Sequence, residues 1–244
     1  QANREGAALL AKKDIAEAVR LRDQALRLKQ EARLQEAAQS AASAEKAAQA
    51  ALNTAKQTQT QPAEAWLADK AGTVQNRPAA AADWQDTQLE QKLRERERVR
   101  TLTASRGTIK FSDQSQLMLD EHALVMIGSM KKNVLRPAYS NSVSMIEGDV
   151  LVHLASLNER KQFAVTMPDI AADIRSHHFF TSRDKNSTKI ANYDGEIDIS
   201  SQGGQVTVKK NQATKVRRGQ RPAVPHELLP PPKIISPQPE QKLH

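Results

Sequence analysis

The first sixty residues take most of their apolar side chains from alanine, and a methyl group buries too little surface to build a core by itself. Alanine is also the strongest helix former, and residues 2–58 mix it with Leu, Glu, Gln, Lys and Arg around one Gly and no Pro. The stretch reads as helix. Lys12, Lys13 and Asp14 mark a break, with Asp14 placed to cap a second helix and Glu17 three residues on, in capping-box spacing. The second helix is expected from Ile15 to about Gln57, about 60 Å long at the rise of an α-helix. Ile15, Val19, Leu26 and Leu34 give it a modest stripe, but past Gln35 only small residues recur, from Ala37 and Ala38 to Ala48 and Ala51, before Leu52. A rod this slender is either a solvated spacer or a helix that packs against neighbours or other copies.

The pattern then changes. Residues 57–62, polar and closed by Pro62, read as a linker. Gly72, Thr73 and Val74 suggest a first strand, and Trp84 a core anchor. The charged residues 86–100 suggest one helix or an extended connection, with Leu89, Leu93 and Val99 inward. After Arg100 the apolar period becomes two, as in half-buried strands. Ile109 and Phe111, then Leu117 and Leu119, flank a turn at residues 112–114. A fuller run follows at residues 124–127. Val143, Met145, Val150 and Val152 flank an expected turn at Glu147, Gly148 and Asp149. Phe163, Val165 and Met167 precede Pro168, and Ile170, Ala172 and Ile174 alternate again. Asp194-Gly195 predicts a type I′ hairpin between Ile190 and Ile197. Gly203-Gly204 predicts another turn before Val206 and Val208. Many short strands with frequent turns mean a sandwich, jelly roll or short β-solenoid.

The fold class is therefore α+β by segments, a long α-helical arm followed by an all-β domain. The divisions are an arm at 1–60, a linker at 61–65, a β domain at 66–220 and a tail at 221–244. The tail carries seven prolines and should be extended and partly disordered.

Charge is uneven. Residues 205–244 hold eight Lys/Arg against two Asp/Glu, whereas residues 61–204 are nearly balanced, with eighteen against nineteen. Lys209, Lys210, Lys215, Arg217, Arg218 and Arg221 form the best interaction candidate. They either solubilise a sheet edge or contact an acidic partner, anionic polymer or lipid headgroup. The tail lacks the aromatic residues that single-strand nucleic-acid binding uses, which argues against specific nucleic-acid binding. With no cysteine there are no disulfides, thiolate zinc sites or thiol nucleophiles. No apolar run approaches the length of a membrane span. The chain begins at Gln1, and we expect that a targeting segment has been removed.

No nucleophile elbow, phosphate-binding loop or zinc-protease motif is present, so neither a catalytic set nor a cofactor or metal is expected. His177 and His178, being adjacent, point to opposite faces of a strand and read as rim residues. Asp113 and Ser115 read as turn residues that bond to backbone. Trp66 and Trp84 suit sugar stacking less well than core packing.

An ordered set of segments within residues 66–220 resembles the FecR domain of bacterial envelope proteins, some of which carry LysM modules. The set comprises Val99 to Thr101, Gly107 to Leu119, Val143 to Val150, Phe163 to Thr166, Ala171 to Arg175, Tyr193 to Ile199 and Gly204 to Val208. The chain departs from the family at Ser176, His177 and His178, where Gly-Thr usually precedes the Phe. The resemblance implies a periplasmic or surface-facing, non-enzymatic module. Its main implied role is structural, as a subunit of a homo-oligomer or larger assembly with other protein subunits. The alternatives are a peptidoglycan- or glycan-binding module and a periplasmic signal-relay regulator of anti-sigma type.

Overall fold

The computed structural model describes residues 6–79, 83–136, 138–155 and 160–230. The arm and β domain appear in the expected order, an α+β arrangement by segments. The arm is not one rod. Helices α1 (Ala7–Leu10), α2 (Lys12–Gln30) and α3 (Leu34–Thr58) fold so that α2 and α3 lie side by side. Ala32 takes φ +62° after α2. The Arg33 N–H then donates to the Leu28 carbonyl at 2.9 Å, and the Ala32 N–H to the Lys29 carbonyl at 3.2 Å. This is a Schellman closure with alanine where glycine is usual, and nothing in the local composition announces it.

Alanine is what lets the helices meet closely. Ala51 and Ala55 are completely buried and cluster with Ala11 beneath Leu10 and Ile15. The Ser40 hydroxyl donates to the Leu21 carbonyl at 3.1 Å. Asp14 makes no helix cap; its carboxylate instead accepts a 2.8 Å hydrogen bond from the Thr54 hydroxyl and ties the open end of the hairpin.

The strands are β1 (Thr60–Pro62), β2 (Ala65–Ala71), β3 (Val74–Arg77), β4 (Gln85–Asp86), β5 (Lys92–Leu93), β6 (Arg98–Thr101), β7 (Arg106–Phe111), β8 (Gln116–Leu119) and β9 (Leu124–Asn133). They continue as β10 (Ala138–His153), β11 (Arg160–Thr166), β12 (Ala171–Ile174), β13 (His178–Arg183), β14 (Ser187–Asn192), β15 (Glu196–Ser201), β16 (Gly204–Lys209), β17 (Gln212–Arg217) and β18 (His226–Glu227). They wrap as a half-barrel, nearly all antiparallel, around one core that includes Leu67, Phe111, Ile127, Val152, Phe163 and Ile199. One layer runs β11, β10, β9, β6, β3, β4, with β1 also on β9. The other runs β5, β2, β7, β8, β10, β13, β14, β17, β18, and a small sheet orders β12, β15, β16. The alternation read from the sequence sets the faces: Ile109 and Phe111, Leu117 and Leu119, Val150 and Val152 all turn inward.

Several local readings need correction. Thr60 to Pro62, within the stretch read as a linker, pair with Lys131 to Asn133. Of the two forms expected for residues 86–100 the extended one is taken, as short strands and turns; Leu93 and Val99 are buried as expected, but Leu89 is 54% exposed. Gly72, with φ +73°, is a turn rather than part of a strand. Glu147, Gly148 and Asp149 make no hairpin, because β10 continues through them. Before Gly148, β10 pairs with β9 and β11; after it, with β8 and β13. One strand thus joins the two layers across a corner. Asp194-Gly195 is a corner too: β14 pairs with β13 and β17, while β15 pairs with β12 and β16.

Trp84 is no core anchor. It lies half-buried at the surface, with the guanidinium groups of Arg100 and Arg77 at 4.1 and 4.9 Å from its ring centre. Trp66 is likewise half-buried on an outward strand position. The described part of the tail is ordered against the sheet, with His226 and Glu227 pairing with Ala213 and Gln212. Residues 231–244, expected to be extended, lie outside the described residues. No helix among the described residues is long and apolar enough to cross a membrane.

Candidate interaction site

The six cations singled out in the sequence divide into three groups. Lys215 and Arg217 alternate outward along β17, while Thr214 and Val216 turn into the core. Arg221 follows on the segment that runs back along the edge of β17, where the Ala223 N–H donates to the Lys215 carbonyl at 3.0 Å. The Thr214 hydroxyl donates to the Ala223 carbonyl at 2.7 Å. This return brings Arg221 to Lys215 and Arg217, and the three line one open groove of about 850 Å³. Arg218 turns away and its guanidinium lies 3.6 Å from the Asp169 carboxylate. Lys209 and Lys210 stay at the far end of β16, both exposed.

The opposite wall of the groove is β16 with its turn, Gly203 to Val206. Ser201 pairs with Gly204 across a two-residue turn. From that register, Val206 and Val208 bond back to β15, while Gln205 and Thr207 direct their backbone groups away from it. The Lys209 N–H obeys the same alternation and donates outward to the Gln212 side-chain carbonyl at 3.1 Å. Among the described residues β16 has no strand partner on that outer edge. The end of the groove is tightly fitted. The Ser201 hydroxyl donates to the Gln220 carbonyl at 3.0 Å, and a Cβ at Gly204 would lie only 2.9 Å from the Cβ of Arg221.

Lys215, Arg217 and Arg221 have no carboxylate within 4.0 Å among the described residues. Lys215 and Arg217 also border a neighbouring hollow with Glu147 and Asp184. Asp184 is committed to its own turn, accepting from the backbone N–H groups of Asn186 and Ser187 at 2.7 Å each and from the Ser187 hydroxyl at 3.0 Å. The Asn186 N–H, then the Ser187 groups, hold its carboxyl below the ordinary carboxylate range, with Lys215 a smaller contributor.

The other residues weighed for chemistry are structural. Asp113 is buried; one carboxylate oxygen accepts from the Ser115 N–H at 3.0 Å and the other from the Asn141 amide at 2.9 Å. His177 lies at the rim, 3.4 Å from the Asp194 carboxylate. His178 lies beside His153 and Tyr193, with ring centres 5.5 and 5.0 Å away and the planes tilted by 55° and 48°. Burial first, then the nearby His153, pushes its pKa down, and Asp194 opposes them. No three His, Cys, Asp or Glu side chains gather to hold a metal among the described residues. Sequence reading missed the open edge of β16, because period-two alternation marks a strand without saying which of its sides is paired.

Residues 97–198 match the family model described as FecR protein. That stretch of the chain is similar to FecR. The match begins just before β6 and ends within β15, so the matched stretch holds both corners, at Gly148 and at Gly195. The basic groove lies beyond it, on β16, β17 and the return segment. Two crystal structures of a protein from Parabacteroides distasonis, described as a putative anti-sigma factor and determined at 1.65 and 2.50 Å resolution, are similar to the chain at 9% identity. Their TM-scores are 0.44 and 0.42, and each alignment covers 54% of this chain and 59% of the other. The chain therefore spans less than two thirds of the length of either. No curated protein matches it significantly.

Proposed function

We propose that this protein is a non-catalytic, partner-binding module of a bacterial envelope, a relay element of FecR type that another protein reads. The envelope setting and the relay role are drawn from the match of residues 97–198 to FecR and what that family implies. The observation that carries the binding role is the gathering of Lys215, Arg217 and Arg221 on one groove without a carboxylate partner within 4.0 Å among the described residues. Such a group of cations attracts an acidic partner and makes the interaction sensitive to salt. Immobilised protein should therefore retain an envelope-fraction protein that elutes as salt rises. Arg217→Glu with Arg221→Glu should lower that retention at least about fivefold, as reversed charges do at a steered interface. Unchanged retention disposes of the reading.

A second reading, a multimeric scaffold, is favoured by the arm. An apolar hollow of about 420 Å³ lies along α2 and α3, lined by Leu26, Leu34, Ala37, Ala38 and Ala41 among others. Leu26 and Leu34 are 54% and 66% exposed. Mass photometry of the whole chain should then give multimers that Leu26→Gln with Leu34→Gln dissolves. Monomers throughout exclude this reading.

A further inference from the structure

We infer that the groove between β16 and the return segment takes an extended acidic segment of a partner protein by strand addition, with β16 as the template. The inference rests on the partner-binding reading above and gives it a location and a mode.

Three observations carry it. First, β16 is an edge strand whose outward backbone groups at Gln205 and Thr207 have no partner among the described residues. An exposed edge is a ready template for another strand unless something covers or charges it. Second, the edge is walled rather than open to all sides. Arg221, Pro222, Ala223 and Val224 face it across the groove, and Lys215 and Arg217 stand along the same wall. The hollow, about 850 Å³, falls within the size range of well-formed ligand sites. Third, the lining combines two chemistries. Val206 and the 84% exposed Val224 stand beside three cations. A strand that alternates acidic with β-branched residues matches such a lining, because successive side chains point to opposite faces.

The charge sets the occupant. Among the described residues nothing acidic lines this groove, so a basic strand meets the repulsion of its cations. The acidic residues Glu147 and Asp184 lie in the neighbouring hollow, and Asp184 is already engaged by its own turn. Backbone bonds to Gln205 and Thr207 supply the register, and the cations supply the sign.

The test uses the whole protein and a labelled octapeptide, Thr-Glu-Val-Glu-Thr-Glu-Val-Glu, followed by fluorescence anisotropy. Two companion peptides carry Lys for every Glu, or N-methyl groups on alternate backbone amides. The acidic peptide should bind at least about tenfold more tightly than the basic one, as expected of electrostatic selection. N-methylation should weaken it at least about tenfold, since it removes the donors of an added strand. Arg217→Glu and Arg221→Glu, both at exposed positions, should each weaken it about fivefold. Equal binding of the N-methylated peptide overturns strand addition, and equal binding of the basic peptide overturns the acidic selectivity. Loss of salt-sensitive envelope retention in the charge-reversed protein, with no binding of the acidic peptide, overturns this inference while leaving the partner-binding reading standing.

Discussion

Replacing Gly148 by alanine should cost the protein about 3–5 kcal/mol and lower its melting temperature by about 10 °C. Gly148 has φ +89°, a conformation that costs an L-residue about 1–2 kcal/mol. The rest comes from space. A Cβ at this position would lie 2.3 Å from the Cα of Ala123, 2.7 Å from the His122 carbonyl oxygen and 2.8 Å from the Ala123 nitrogen. These are backbone atoms, so no side chain can rotate out of the way, and the chain entering β9 must shift. That shift is resisted on both sides of the corner. Glu147 pairs with Leu124 before it, and the Asp120 N–H donates to the Asp149 carbonyl at 3.0 Å after it. Arg183 further fixes the bend by donating to the Ile146 carbonyl at 3.1 Å. Gly203→Ala is the matched control: φ is +78° there, but no atom of the described residues lies within 4 Å of the added Cβ. It should lose only the conformational part, about 1 kcal/mol. Thermal and urea denaturation of the two variants decide the matter, and equal losses would sink the claim that the corner is closed by backbone contact.

Truncating Phe111 to alanine should destabilise by about 3–5 kcal/mol, the range for an aromatic side chain removed from a closed core. Phe111 is completely buried on β7, and its ring meets that of Phe163 on β11 edge to face, with centres 5.1 Å apart and planes at 85°. The two strands belong to opposite layers, so this contact clamps one layer to the other. Phe111→Leu keeps most of the volume and should cost about 1 kcal/mol. A double-mutant cycle with Phe163→Ala should return a coupling of about 1 kcal/mol, the size expected of an aromatic pair beyond its buried area. Additive losses would show that the rings fill space independently.

These two residues differ in how far the sequence announces them. Phe111 stands in plain alternation with Ile109, Leu117 and Leu119, and its inward direction follows from period two alone. Gly148 stands between Glu147 and Asp149 and reads as the tip of a hairpin. Its local requirement, a positive φ, is legible; that the strand continues beyond it and changes layers is not. Gly195 repeats the lesson, since Asp-Gly favours the same tight turn whether the flanking strands pair with each other or with different sheets. The six cations were legible as a basic segment, but their sorting depended on where β17 and the return segment ran: three to one groove, one to Asp169, two to a far end.

The division has a physical cause. Helix propensity, alternation and turn chemistry act among residues a few positions apart, so the sequence alone determined an alanine-rich helical arm, a half-buried β domain after it and the inward face of most strands. Pairing partners, corners and open edges depend on contacts between residues far apart in the chain, and only their mutual packing chose among the local options. That packing folded the arm back at Ala32, carried β10 from one layer to the other, and left the edge of β16 open beside Lys215, Arg217 and Arg221.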